Sequence, residues 1–307
     1  MAKLASKDVL RADQFSVDEI DLIMETARGH AAALERGEVL DRMRGKVLST
    51  FFYEPSTRTR LSFEAAMHRL GGRVISVAEA KSSSASKGES LHDTIKTVEG
   101  YADVIVLRHP QIGAAEEAAR ATDVPVINAG DGAGQHPTQS LLDLYTILEE
   151  QGQIDGLTVA LVGDLRNGRT VHSLADLLAN YDVRFQFVAP DELRMPREIV
   201  ESLEAKGISV AETEDLADVI PMADVLYMTR IQRERFENPA DYDRLKDTYV
   251  VTREALGSAK KTAIVMHPLP RVNEISTDVD GLPAAAYFRQ AANGVPVRMA
   301  LLALVTT

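Results

Sequence analysis

Short apolar runs alternate with amphipathic stretches along almost the whole of this 307-residue chain, and few architectures accept that rhythm. The runs read as strands at 46–53, 73–78, 103–108 and 124–128, then at 157–163, 184–189, 208–211, 224–229 and 262–267. Most are continuous in Val, Ile, Leu and Phe, the pattern of strands covered on both faces. Helical stretches lie between most of them. One spans 57–70, and another opens at a capping box, Ser16-Val-Asp-Glu19, with Ile20, Ile23, Met24 and Ala27 on one face. Strands separated by helices are joined by crossovers and pair in parallel. The strands form two groups with a helix at 137–151 between them, begun by Pro137 and ended by Gly152. The expectation is an α/β protein of two doubly wound parallel-sheet domains, with its ligand site in the cleft between them.

Composition narrows the function. A net charge of −12 argues against nucleic acid as a partner, so an anionic ligand must be drawn by local positive charge. With no cysteine there is neither a disulfide nor a thiolate metal site, which fits a reducing, cytoplasmic setting. No apolar run approaches membrane-spanning length and no signal-type apolar segment opens the chain, so no membrane association is expected.

Polar residues cluster just after the strands, where open parallel sheets bind ligands. After the first strand comes Glu54-Pro-Ser56-Thr57-Arg58-Thr59-Arg60, three hydroxyls and two guanidiniums at a helix start. Exposed backbone N–H groups, the positive end of the helix dipole and an arginine fork converge there on one anion, best a phosphate. Arg108 follows the third strand, and the Asn128–Gln139 segment, with His136 and Gln139 at its helix start, follows the fourth. His136 and Gln139 suit a carbonyl oxygen and an amide. The glycines at 130, 132 and 134 form neither Gly-x-Gly-x-x-Gly nor a P-loop, and read as a tight turn. In the second group, Arg169 and Arg230, the latter two residues before Gln232, follow strands and suit the two carboxylates of a dicarboxylic acid. Apart from His136 and His267, the histidines, His30, His68, His92, His109 and His172, show no metal-ligand spacing, and no metal or organic cofactor is expected.

Phe52-Tyr-Glu-Pro-Ser-Thr-Arg-Thr-Arg60 resembles the carbamoyl-phosphate signature of the transcarbamoylases. The likeness extends through the His136 and Gln139 context, Met228-Thr-Arg-Ile-Gln232 and His267-Pro-Leu-Pro270, over nearly the whole chain. Ornithine-type members carry His-Cys-Leu-Pro at the last motif. The proline here, and the absence of cysteine, favour the aspartate branch. The resemblance implies transfer of the carbamoyl group of carbamoyl phosphate to the amine of L-aspartate, in pyrimidine biosynthesis.

It also implies roles for named residues. Ser56, Thr57, Arg58, Thr59 and Arg108 would hold the phosphate. Thr59, Arg108 and His136 would bind the carbonyl oxygen, while Gln139, Leu269 and Pro270 would orient the carbamoyl NH₂, with His267 a structural neighbour of that pair. Arg169, Arg230 and Gln232 would hold aspartate, with Lys87 of the next subunit helping. Ser83 and Lys87, in the polar loop from Lys81, would complete a neighbouring subunit's site, which requires at least a homotrimer. A larger assembly with a separate regulatory chain is left open. By the same likeness the C-terminal segment rejoins the first domain, giving 1–136 with 285–307 for carbamoyl phosphate, 137–151 as the linking helix and 152–284 for aspartate. The rivals are a transcarbamoylase for ornithine or another amine, a non-catalytic binding module on the same fold, and a nicotinamide dehydrogenase. The missing glycine fingerprint counts against the last.

Overall fold

In the computed structural model, which describes residues 4–78, 84–236 and 238–306, strands form where the apolar runs lie. The first four are β1 (Val47–Phe52), β2 (Arg73–Val77), β3 (Val104–His109) and β4 (Val126–Asp131). The next five are β5 (Thr158–Val162), β6 (Arg184–Val188), β7 (Ser209–Thr213), β8 (Val225–Met228) and β9 (Ile264–Met266). Between and around them run α1 (Val17–Glu35), α2 (Thr57–Arg69), α3 (Leu91–Val98), α4 (Ala114–Ala121) and α5 (Pro137–Gln151). In the second half are α6 (Arg169–Leu178), α7 (Arg197–Ala205), α8 (Leu216–Val219), α9 (Pro239–Leu245) and α10 (Tyr287–Val305). The capping box forms: Ser16 Oγ accepts from Glu19 N at 3.3 Å, and the Glu19 carboxylate accepts from Ser16 N at 3.0 Å.

The chain divides into two compact units, one made of Met1–Leu142 with Asn293–Thr307, the other of Asp143–Ala292. Both divisions fall inside helices, α5 and α10. The first unit holds a parallel sheet in the order β2-β1-β3-β4, the second a parallel sheet in the order β7-β6-β5-β8-β9. Among the inner strands β1 and β8 are buried along nearly their whole length and β5 throughout, while β6 exposes Arg184. The edge strands β2 and β7 are half exposed, which explains their more polar sequences. In the first unit, Phe51, Ile105, Leu107 and Val126 pack against Ile95, Val98, Ala114 and Ala118 of α3 and α4. In the second, Val162, Leu226, Met228 and Val265 pack with Leu216, Tyr249, Val279 and Tyr287. Each such large side chain contributes about 1.5–3 kcal/mol by leaving water.

The strand orders locate a crevice in each sheet. In the first unit the chain moves outward from β1 to β2, then returns to the other side of β1 with β3. In the second it runs outward from β5 through β6 to β7, then returns beside β5 with β8. Where successive connections depart to opposite sides, the loops diverge and leave a groove at the carboxyl ends of the two strands. Those strand pairs are β1/β3 and β5/β8.

Candidate active site

Three arginines, Arg58, Arg60 and Arg108, lie at or just beyond the carboxyl ends of β1 and β3. Phe52 pairs with Arg108, and Tyr53 N donates to Arg108 O at 2.9 Å, so Arg108 emerges beside the turn into α2. Ser56 is the N-cap of α2, but its hydroxyl makes no capping bond, unlike Ser16 and Ser90 at the starts of α1 and α3. No acidic residue lies in the first turn of α2. Thr59 is buried there. Arg60 donates to Glu64 Oε1 at 3.3 Å, within a cluster in which Ser76 also donates to Glu64.

Arg58 is different. Its side chain has no hydrogen bond or ion pair among the described residues. Part of it stays in contact with solvent, yet burial pulls its pKa below the ordinary arginine value with no carboxylate acting against it. A partly desolvated cation at a helix N-terminus without a neighbouring anion is a place that favours an anion. Arg108 is held instead: Nη1 donates to Ala129 O at 3.0 Å, and Nη2 lies 3.4 Å from Glu54 Oε2.

The 128–136 segment explains its glycines. The Asp131 carboxylate accepts from Gly113 N at 2.9 Å and Gln135 N at 2.6 Å, so the loop wraps around it. At Gly132, with φ +53, a Cβ would lie 2.3 Å from Pro110 O. The turn delivers His136 to the start of α5, where its carbonyl accepts from Gln139 N at 3.0 Å and Ser140 N at 3.2 Å. His136 and Gln139 are both buried. Lys87 is exposed at the end of a 3₁₀ turn, Ser84–Lys87. Ser83 lies outside the described residues.

In the second unit, β5 and β8 pair through Val162 and Met228, so the loops that follow them run side by side. Gly163, with φ +115, fits against Thr229, whose carbonyl oxygen would sit 2.4 Å from any Cβ there. Asp164 accepts from Asn167 N at 3.0 Å and Nδ2 at 3.1 Å, and burial pushes its pKa up. Asn167 O accepts from Gln232 Nε2 at 3.2 Å. Arg169 opens α6 and Arg230 follows β8, both partly buried. The loops that carry Arg169, Arg230 and Gln232 thus leave neighbouring strands and are tied to each other by the Gln232–Asn167 bond. Leu269 and Pro270 stand apart from them in sequence, after edge strand β9, joined by a cis peptide with Leu269 at φ +53.

Glu54, Asp164 and Asn167 do supporting work that the sequence did not single out. Their signal was position: each lies within a few residues of a strand's carboxyl end. His109 accepts from Gln111 N at 3.1 Å and packs edge-on to Tyr53, while His172 Nε2 donates to Leu165 O at 2.6 Å. No group of three or more His, Asp or Glu side chains suited to a metal occurs among the described residues.

Residues 7–149 match the family model described as aspartate/ornithine carbamoyltransferase, carbamoyl-P binding domain, and residues 155–305 match its Asp/Orn binding domain. The aspartate carbamoyltransferase catalytic subunit of Thermococcus kodakarensis is 57% identical over 298 residues, 97% of this chain and 96% of its own. A solved catalytic subunit of M. jannaschii aspartate transcarbamoylase superposes with a TM-score of 0.92 at 52% identity, covering 98% of each chain. Aspartate transcarbamoylase from Trypanosoma cruzi in complex with N-(phosphonacetyl)-L-aspartic acid gives 0.92 at 44% identity, covering 97% of this chain and 95% of its own.

Proposed function

The chain belongs to the aspartate/ornithine carbamoyltransferase family, and we propose from that premise that it carbamoylates L-aspartate at the expense of carbamoyl phosphate, giving N-carbamoyl-L-aspartate and phosphate. The observation that carries the donor half is the uncompensated guanidinium of Arg58 at the start of α2. Ser56, Thr57, Arg58, Thr59 and Arg108 bind the phosphate. The aspartate amine attacks the carbamoyl carbon, and the negative charge that develops on its oxygen is met by Thr59, Arg108 and His136. Gln139, Leu269 and Pro270 orient the NH₂. As the C–O bond to phosphate breaks, the phosphate leaves with the proton of the amine. The donor is already activated, so no protein nucleophile is required, and rate comes from positioning and electrostatics.

Two guanidiniums and a carboxamide in the groove at β5/β8 support aspartate as the acceptor. Arg169 and Arg230 pair with its two carboxylates, and Gln232 assists. An ornithine side-chain cation would be repelled there. Ser83 and Lys87 act in the site of a neighbouring copy, so the working form is a homotrimer acting in cytoplasmic pyrimidine synthesis. A separate regulatory chain is compatible with this assembly. Incubation with carbamoyl phosphate and, separately, L-aspartate, L-ornithine, N-acetyl-L-ornithine and putrescine tests the assignment through phosphate release and product identity. Turnover with aspartate alone is expected. Turnover with another amine instead would overturn the roles of Arg169 and Arg230.

A further inference from the structure

His267 and Glu274 form a buried pair that the proposed chemistry does not use. His267 Nε2 lies 2.6 Å from Glu274 Oε1, and the two side chains are 1% and 5% exposed. The other ring nitrogen, Nδ1, accepts from Leu269 N at 2.7 Å. A nitrogen that accepts carries no proton, so the proton sits on Nε2 and is donated to Glu274. The Glu274 carboxylate also accepts from Val272 N and Asn273 N, both at 3.1 Å through Oε2. The backbone of His267 is fixed as well: its N–H donates to Gln290 Oε1 at 2.8 Å, and Gln290 Nε2 donates to buried Asp143 at 2.6 Å. All of these bonds except that between Gln290 and Asp143 end on one short turn, 267–274, whose backbone at Leu269 has φ +53.

We propose that His267 is a positioning residue for the Leu269–Pro270 carbonyls, with its tautomer set by Glu274, so that the turn reads the amino group of the carbamoyl donor. This rests on the assignment of Leu269 and Pro270 to that NH₂. Any buried histidine must satisfy both ring nitrogens, but here the accepting nitrogen is satisfied by the N–H of Leu269 itself, the residue whose carbonyl is assigned to the carbamoyl donor. Here the carboxylate forces the proton onto Nε2, and only then is Nδ1 bare to receive the Leu269 N–H.

Acetyl phosphate, with methyl in place of NH₂, separates positioning from general damage. Unaltered protein should bind carbamoyl phosphate more tightly than acetyl phosphate by about 10–100-fold, the worth of one or two hydrogen bonds, measured by calorimetry. His267→Gln keeps a donor for Glu274 but withdraws the acceptor from Leu269, and should cut that preference about tenfold. His267→Asn places its carboxamide oxygen near the Nδ1 position and should keep the preference within about threefold. Equal weakening toward both phosphates, or no change in His267→Gln, would overturn the proposal. If unaltered protein shows no preference, the assignment of Leu269 and Pro270 itself fails, and the proposal falls with it. Ring-nitrogen NMR of ¹⁵N-histidine protein reads the tautomer without any substitution. Protonation at Nδ1 of His267 would refute the proposal even if neither variant folds.

Discussion

Replacing Arg58 by alanine separates anion binding from folding, because the side chain has no hydrogen bond or ion pair among the described residues. No partner among the described residues is orphaned, and a partly desolvated cation is removed. Stability should therefore change by no more than about 0.5 kcal/mol, as for an ordinary surface site. Turnover should fall by about 10²–10³, or 2.7–4 kcal/mol, the usual loss for one donor to a developing charge. Phosphate provides a second readout independent of turnover. At a hundred times its Kd it should stabilise the unaltered protein by about 2.7 kcal/mol. For units of this size, that raises the melting temperature by roughly 5–10 °C. Losing a charged hydrogen bond of about 2 kcal/mol weakens binding some 30-fold, and the same phosphate concentration should then give roughly a third of the shift. Activity within a few-fold of the parent, or an undiminished phosphate shift, would refute the anion-site reasoning.

Arg108→Ala should behave otherwise, because it strips a donor from Ala129 O and leaves Glu54 without its ion pair; a loss of about 1–3 kcal/mol in urea melts should accompany at least a hundredfold loss of turnover. Gly163→Ala forces φ +115 on a residue with a Cβ and drives it into Thr229 O, so the loop leading to Arg169 must shift; KM for aspartate should rise about tenfold or more while carbamoyl phosphate binding changes little. His30 is held below its ordinary pKa of 6.5 by burial and by Arg42. Its stabilising contribution is present above pH 6.5 and is lost as pH falls through the lowered folded value. Chemical denaturation of His30→Leu should show a shallower loss of stability below about pH 6.5 than the parent.

The alternation of apolar runs and helical stretches predicted every strand described, within about three residues at each end. Such runs were legible because inner strands of covered parallel sheets leave no polar face to confuse the period. β4 ran further than expected, to Asp131, because Gly130 and the Asp131 cluster continue the extended backbone past the apolar residues. The start of α2 was legible from its hydroxyls and guanidiniums, but not the division of labour within it. Arg58 and Arg60 are the same residue type two positions apart, and only the Glu64 contact of Arg60 distinguishes them. The tie from Asn167 to Gln232 spans 65 residues, and the one from Gln290 to Asp143 spans 147; no local pattern encodes either.

The division of the chain inside α5 and α10 bears on how such a protein can be taken apart. Asp143–Ala292 is one continuous stretch, whereas the first unit is written in two pieces around it. In gene terms the second unit is an insertion into the first. A premature stop after Ala292 would delete only the last 15 residues of the chain, yet all of them belong to the first unit, far in sequence from Arg58. Asp143–Ala292 could accordingly be cut out or replaced as a single uninterrupted segment, with both joins falling inside helices, whereas no single segment carries the first unit.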